Sequence, residues 1–596
     1  METLVLAIMI GVIALIIICY GTYHNKRIRA YEIRKIKESY GKACTRTYGD
    51  GEYEHIRGYY NTHCADGLYH VDDITWNDLN MDAVYRSMNY TQSSAGDEYL
   101  YHMLRTPRVT SDLSGIGNAE QDTAVDKALI YDDHMEKLIS GYMSDSEGRV
   151  KLSIALHDMG RTGKYSIYDY INNLDSVDDS SLKGDYALLI TYIVAVILMV
   201  FNTTVGGLVL IIALFYGGIS YFARKRRIEP YIISFSYVMR LLKGIQVISR
   251  LSDEAIAVET YKLKTLAKKM SGFGRFSGLV MSASYGSGNP AELILDYIKI
   301  FTHIDIIKFY SMRKELEKHS ADIDRMLTLI GYIDACVAIG SYRTYLGKWC
   351  VPQIVSKGRE ASEATVSGRD DNETGAYIGV KAVALYHPLL TDPVPNDVEL
   401  KRGMLLTGSN ASGKSTMLRT ITLAAILAES IGTVPAEEYS APAFRVYTSL
   451  ALTDDILTGE SYYMSEIRSL KRIIDAGKDS ETPILAAIDE VLRGTNTVER
   501  ISASTVIMKQ LSGVYGIILA ATHDLELTEL LKDYYDNYHF EETIEDDDIS
   551  FAYKLLTGKA TTRNAIKLLK ISGYDEDLVN AAEAMAERYS ISGEYI

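Results

Sequence analysis

Gly408, Gly413, Lys414 and Ser415 stand in the spacing GxxxxGK[ST] inside "TGSNASGKST", residues 407–416. In that spacing the backbone of Gly408, Ser409, Asn410, Ala411, Ser412, Gly413, Lys414, Ser415 and Thr416 cradles phosphates at a helix N-terminus. The lysine brings a point charge to the outer phosphates, and the Ser415 hydroxyl ligates magnesium. A second stretch, "ILAAIDE", is an apolar strand ending in Asp489 and Glu490. An aspartate at a strand end holds magnesium, and a glutamate beside it orients or deprotonates an attacking water. A third, "IILAATHD", ends in His523, whose imidazole can sense a γ-phosphate. Together they predict binding and hydrolysis of ATP with Mg2+.

These residues need a parallel sheet to gather them. "GMLLTGSNASGKSTMLRTITLAAILA" reads as strand, glycine-rich loop and helix, and the two later stretches as neighbouring strands. Adjacent strands ending in Asp489-Glu490 and in His523 point to the ABC-type ATPases among the α/β P-loop NTPases. The LSGGQ signature of that class has no counterpart ahead of the Asp489-Glu490 strand. "LSGV" at 511–514 falls after it, and "TDDILTGESYYMSEI" occupies the place.

Several of these segments resemble the MutS ATPases. The loop "TGSNASGKST", the strand "IDEVLRGTNT", the histidine strand "ATHD" and "TGESYYMSEI" are each similar to a family motif. So are "HPLL", "VPND", "GTVPAE", "NYHFE" and the closing "TTRNAIKLLKISGYDEDLVNAA", in family order. Upstream, "VYRSMNYTQSSAGDEYLYHMLRTP" (84–107) looks like the start of the family's core and lever domain, and "HSADIDRMLTLIGYIDACVAIGSY" like the returning lever helix. The resemblance implies a homodimer in which Ser461, heading the signature helix, completes the neighbour's nucleotide site. It also implies a lever or clamp cycle driven by ATP, with DNA as a cargo. Departures accompany it. Residues 22–80 leave no room for mismatch-reading and connector domains, Pro393 stands where the family places an adenine-stacking aromatic before "VPND", and Ser409, Ala411 and Ser412 replace proline, methionine and glycine or alanine in the loop.

The rest of the chain bears on location. Leu4–Tyr20 is an uncharged apolar run long enough to cross a bilayer, followed by Lys26, Arg27, Arg29, Arg34, Lys35 and Lys37. The basic flank holds its side in the cytoplasm, and the amino terminus faces outward. Residues 186–222 form a second apolar block, broken by "NTTVGG" at 202–207 into two short helices and closed by Arg224, Lys225, Arg226 and Arg227. Three spans are therefore expected, with the soluble parts cytoplasmic. The expected domains are an anchor over 1–21, a cytoplasmic linker over 22–80 and a first core part over 81–185. A transmembrane hairpin over 186–222, a helical lever and core over 223–365 and an ATPase domain with a dimerising C-terminal element over 366–596 complete the order.

Composition narrows the partners. A formal net charge of -16 gives no footprint for a nucleic-acid backbone, so any DNA contact is local. The five cysteines form no CxxC pair, and His63, Cys64 and His70 have no second ligand pair spaced for zinc. Besides DNA, the alternative is a membrane scaffold or switch acting on a protein partner. A transporter driven by the same ATPase is a weaker alternative, because three short spans with no intramembrane charge make a poor pathway.

Overall fold

The computed structural model describes residues 2–592 apart from 50, 65–68, 108–131, 163–165, 174–181, 252, 275–276, 278–279, 281–289, 356–378, 410–411, 451–461, 479–481, 493–494, 546–547, 561–565, 567–568 and 570–572. The chain divides into two units, one of residues 1–66, 86–103 and 120–345, the other of 67–85, 104–119 and 346–596.

The first unit is helical. Helix α1 (Glu2–Ser39) carries the amino-terminal apolar run without interruption into the basic stretch, with side chains described from Cys19 onward. Its polar half meets α2 (Ser146–Met159): Arg29 donates to both Asp158 oxygens at 2.5 and 2.6 Å, and the Arg149 guanidinium lies 3.6 Å from the Tyr40 ring centre. Then come α3 (Leu182–Phe201) and α4 (Thr203–Ile248), which together form an antiparallel hairpin. The break expected over 202–207 is a single residue. Asn202 is extended, and its side chain accepts from Val205 N, satisfying one donor at the start of α4. Gly206 lies inside the helix, where a Cβ would sit 2.3 Å from Met199 N, so the two backbones touch near the tip because no side chain separates them.

Nor does α4 end at Phe222. It runs 46 residues, through Arg224–Arg227 and Pro230, because a basic cluster marks a water boundary and leaves helical hydrogen bonding intact. Three described segments are long and apolar enough to cross a membrane: Leu182–Phe201, Thr203–Glu229 and Tyr231–Ile248. The first two leave most of their residues exposed. The third is half buried, with Phe235 packed on Phe273 and Phe309, so it belongs to the core of this unit. Beyond it lie α5 (Pro290–Thr302), α6 (Ile304–Lys318) and α7 (Ser320–Leu346), the last almost wholly buried from Met326 to Arg343.

Two sheets organise the second unit. A four-stranded sheet has the order β1 (Gln353–Ile354), β5 (Glu438–Ala441), β2 (Val380–Leu385), β3 (Asn396–Leu400). The six-stranded sheet has the order β10 (Asp548–Thr557), β9 (Tyr535–Glu545), β4 (Gly403–Thr407), β8 (Gly516–Ala521), β7 (Ile484–Asp489), β6 (Arg445–Ser449). All its pairings are parallel except β9 with β10. β4, β7 and β8 are continuous apolar runs because both faces are covered. α8 (Lys414–Ile431) packs on the sheet, and α9 (Tyr462–Lys478) and α10 (Thr497–Ser512) bring Leu470, Ile473, Met508 and Leu511 into one cluster with Ile484, Ile488 and Ile518.

Residues 67–85, which the sequence divides between linker and core, group with this second unit. Tyr69 Oη donates to Val446 O at 2.9 Å and accepts from Val446 N at 2.8 Å. Asp78 accepts from the Thr448 hydroxyl and from Leu450 N at 2.7 and 2.9 Å. The segment thus covers the β6 edge and satisfies its outward polar groups.

Candidate nucleotide site

The site lies where β4, β7 and β8 end, at the carboxyl edge of a parallel sheet, where open α/β folds bind ligands. β4 delivers Gly408 at φ 145° and Ser409, and Gly413, in the left-handed region at φ 98°, precedes the first turn of α8. Thr416 falls in that first turn. Asn410 and Ala411 lie outside the described residues, as does Ser461.

Lys414 is 2% exposed, and its Nζ donates to the carbonyls of Gly408 and Ser409 at 2.8 and 2.7 Å. The Ser415 hydroxyl donates to Asp489 Oδ2, so the two residues expected to share magnesium meet across α8 and β7. His523 Nε2 is 2.9 Å from Glu490 Oε1 and 3.2 Å from Lys414 Nζ. Lys414, Ser415, Asp489, Glu490 and His523 therefore converge on one loop. The donor set fits a nucleotide: a buried ammonium and the open amides of a helix start for phosphate, and a hydroxyl-carboxylate pair for a divalent cation. Ser409 Oγ, buried and without a hydrogen-bond partner among the described residues, faces the same loop.

Backbone strain accompanies the carboxylates. Glu490 and Leu492 both have positive φ, 59° and 61°, which costs of order 1–3 kcal/mol for each such residue and persists where neighbours fix it. Glu490 N donates to Ala521 O at 2.9 Å, tying β7 to β8, and Leu492 N donates to the buried Glu466 of α9. Asp524, after His523, is clamped by Arg500 of α10 through two contacts of 2.9 and 2.6 Å.

Three residues here carried no individual signal in the sequence. Glu466 is buried in α9 and holds the backbone behind Glu490, as its place in an amphipathic helix would not reveal. Tyr553, 43% exposed, sets its ring 3.3 Å from where a Gly413 Cβ would stand. It occupies a bulge of β10 between Phe551 and Leu555, at φ 51°. Asn396 of "VPND" fixes the bulge, its Nδ2 donating to Tyr553 O at 2.9 Å and its Oδ1 accepting from Leu555 N at 2.8 Å. For His387 of "HPLL", burial, with Arg419 adding to it, lowers the imidazole to about 4, so it is neutral at pH 7.

Comparison with known proteins gives the same region. The model of MutS domain V matches residues 404–590. The DNA mismatch repair protein MutS of Thermus thermophilus is 32% identical over 204 residues, 33% of this chain and 25% of that protein. Its namesake in Lactobacillus delbrueckii subsp. bulgaricus is 28% identical over 309 residues, covering 51% and 34%. That of Lactococcus lactis subsp. cremoris is 32% identical over 326 residues, covering 53% and 37%. The chain spans from a quarter to somewhat over a third of the length of these relatives.

Proposed function

Because the chain is a MutS-family protein, with MutS domain V over 404–590, we propose that it is a membrane-anchored ATPase that binds and hydrolyses ATP at a composite dimer interface. The observation that carries this reading is the meeting of Lys414, Ser415, Asp489, Glu490 and His523 at one sheet edge. Lys414 and the loop amides hold the phosphates, and Ser415 with Asp489 holds Mg2+. Bound magnesium supplies charge neutralisation on the phosphates. Glu490 orients the water and takes its proton, with His523 fixing the carboxylate. The exposed ring of Tyr553 beside Gly413 offers a face for the base where Pro393 cannot.

Ser461 of the partner chain would complete each site, and the cycle would move levers fixed to the bilayer through α3 and α4. The relatives are named DNA mismatch repair proteins, and DNA, without mismatch recognition, is the first cargo on this reading. A protein partner is the second, favoured by the net charge of -16. Crosslinking in cells followed by recovery of nucleic acid separates them.

Lys414→Ala should abolish hydrolysis and weaken ATP binding. Glu490→Gln should keep binding while lowering turnover by roughly 10²–10⁴-fold, the range for a lost general base. Purified wild type and both variants are compared for turnover and for equilibrium ATP binding. Unchanged turnover in Lys414→Ala contradicts the site, and loss of ATP binding in Glu490→Gln contradicts the division of roles between Asp489 and Glu490.

A further inference from the structure

Helix α5 reads "PAELILDYIKIFT", and its carboxyl end is fixed against the hairpin. The Phe301 carbonyl oxygen lies 3.7 Å from where a Gly217 Cβ would stand. His303, between α5 and α6, holds Asp185 Oδ1 at 2.7 Å through Nδ1 and the Gly217 carbonyl at 2.8 Å through Nε2. Gly217 precedes Arg224 by seven residues, about 10 Å of helix at 1.5 Å per residue, toward the apolar tip. The end of α5 is therefore level with the apolar part of the hairpin, inside its basic flank.

At that level the described residues of α5, 296–302, present apolar groups outward and keep the Lys299 charge inward. Tyr297 and Ile298 are 55% and 46% exposed, and Ile304 follows them on the outside, whereas Lys299 is 2% exposed with Asp296 at 3.3 Å. A helix facing water shows the opposite distribution. α5 packs on α4 and α3, whose exposed residues are largely apolar, and Lys183, Arg226 and Arg227 stand exposed at the hairpin base.

We propose that α5 is an interfacial helix, seated in the headgroup–acyl boundary of an anionic leaflet beside the hairpin. The proposal rests on reading α3 and the first part of α4 as membrane spans. A tyrosine ring suits that boundary because one end is apolar and the other polar, and such helices lie roughly 5–10 Å deep. The three exposed cations would sit at headgroup level and hold lipid phosphates there.

The test uses the full chain with its five cysteines replaced, carrying a nitroxide at Ile298→Cys, Phe215→Cys or Tyr261→Cys, in vesicles of phosphatidylcholine and phosphatidylglycerol. Collision with oxygen and with a water-soluble nickel chelate reports depth. Position 298 should fall between 215, in hydrocarbon, and 261, in water. If 215 reads as hydrocarbon and 298 reads as 261 does, α5 is not interfacial and the hairpin reading stands. If 215 also reads as water, the membrane reading itself falls. Should the cysteine-free chain fail to fold, benzoylphenylalanine at 298 and 215 of the native-cysteine chain replaces the label. A lipid adduct at both positions supports the proposal, and one at 215 alone overturns it.

Discussion

Nε2 of His523 faces Glu490 and Lys414 at once, at 2.9 and 3.2 Å. One ring nitrogen can donate to a carboxylate or accept from an ammonium, so the two contacts are alternatives. Phosphate drawing Lys414 away would leave the ring to Glu490. His523→Ala should therefore lower turnover by about 10²-fold or more, the lower bound for loss of a group serving general-base catalysis, with little change in ATP affinity. Equal losses in turnover and binding would mean that His523 serves only the loop. In the helical unit, Asp97 illustrates charge used for stability. Burial alone would raise its carboxyl, but the Arg161 and Arg46 guanidiniums hold it at about 2, below its ordinary 3.8. A depressed folded value makes the contribution full above about pH 4 and lost as pH falls toward 2, and the shift corresponds to about 2.5 kcal/mol. Buried Asp334 is raised to about 6 and acts in the opposite sense, its contribution full below 3.8 and lost as pH rises through 6, so the two windows do not overlap. Asp97→Asn should flatten the acid limb between pH 4 and 2 and lower stability at pH 7 by about 3–5 kcal/mol, because two arginines lose a buried partner. Denaturant melts across pH check this, and an unchanged acid limb would contradict it.

Helix α4 joins elements that the sequence presents as separate. Near its basic cluster, Arg224 pairs with Asp185 of α3, while Lys225 Nζ and Tyr221 Oη hold Asp305 of α6 at 2.7 and 3.0 Å. Asp185 and Asp305 are buried, so each depends on its cation. Lys225→Met should cost about 3–5 kcal/mol, the penalty for removing one member of a buried pair. Thermal melting of the purified protein in detergent reads this, and a melting temperature equal to wild type would show that Lys225 is dispensable. The contrast with the nucleotide loop explains what a reader of sequence can find. "TGSNASGKST" is contiguous, and its chemistry forces its spacing, so the loop, the carboxylate strand and the histidine strand are legible one by one. The apolar block at 186–222 is equally legible from hydropathy. Where α4 ends is not, because Arg224–Arg227 are good helix formers and record a change of solvent. Tyr553 is hidden for another reason: a bulge two strands away turns it toward Gly413, and neither periodicity nor motif encodes that register shift. α5 is short and carries Asp296 and Lys299, and only the burial of Lys299 beside Asp296 reveals its apolar side.

For the molecule as a whole, the proposed ATP cycle needs a second copy of the chain. Ser461 decides it. As a helix cap in a single chain it would contribute roughly 1 kcal/mol of stability and leave turnover alone. In a shared site it contacts the nucleotide held by the other subunit, and its loss silences the opposite loop. Lys414→Ala and Ser461→Ala chains are mixed, allowed to exchange, and assayed for ATP hydrolysis against each variant alone. A composite site predicts two inactive parents and activity returning on mixing to about a quarter of wild type, since random exchange puts half of all dimers in the mixed state with one competent site of two. A Ser461→Ala protein as active as wild type, or a mixture as inactive as its parents, would contradict the composite site.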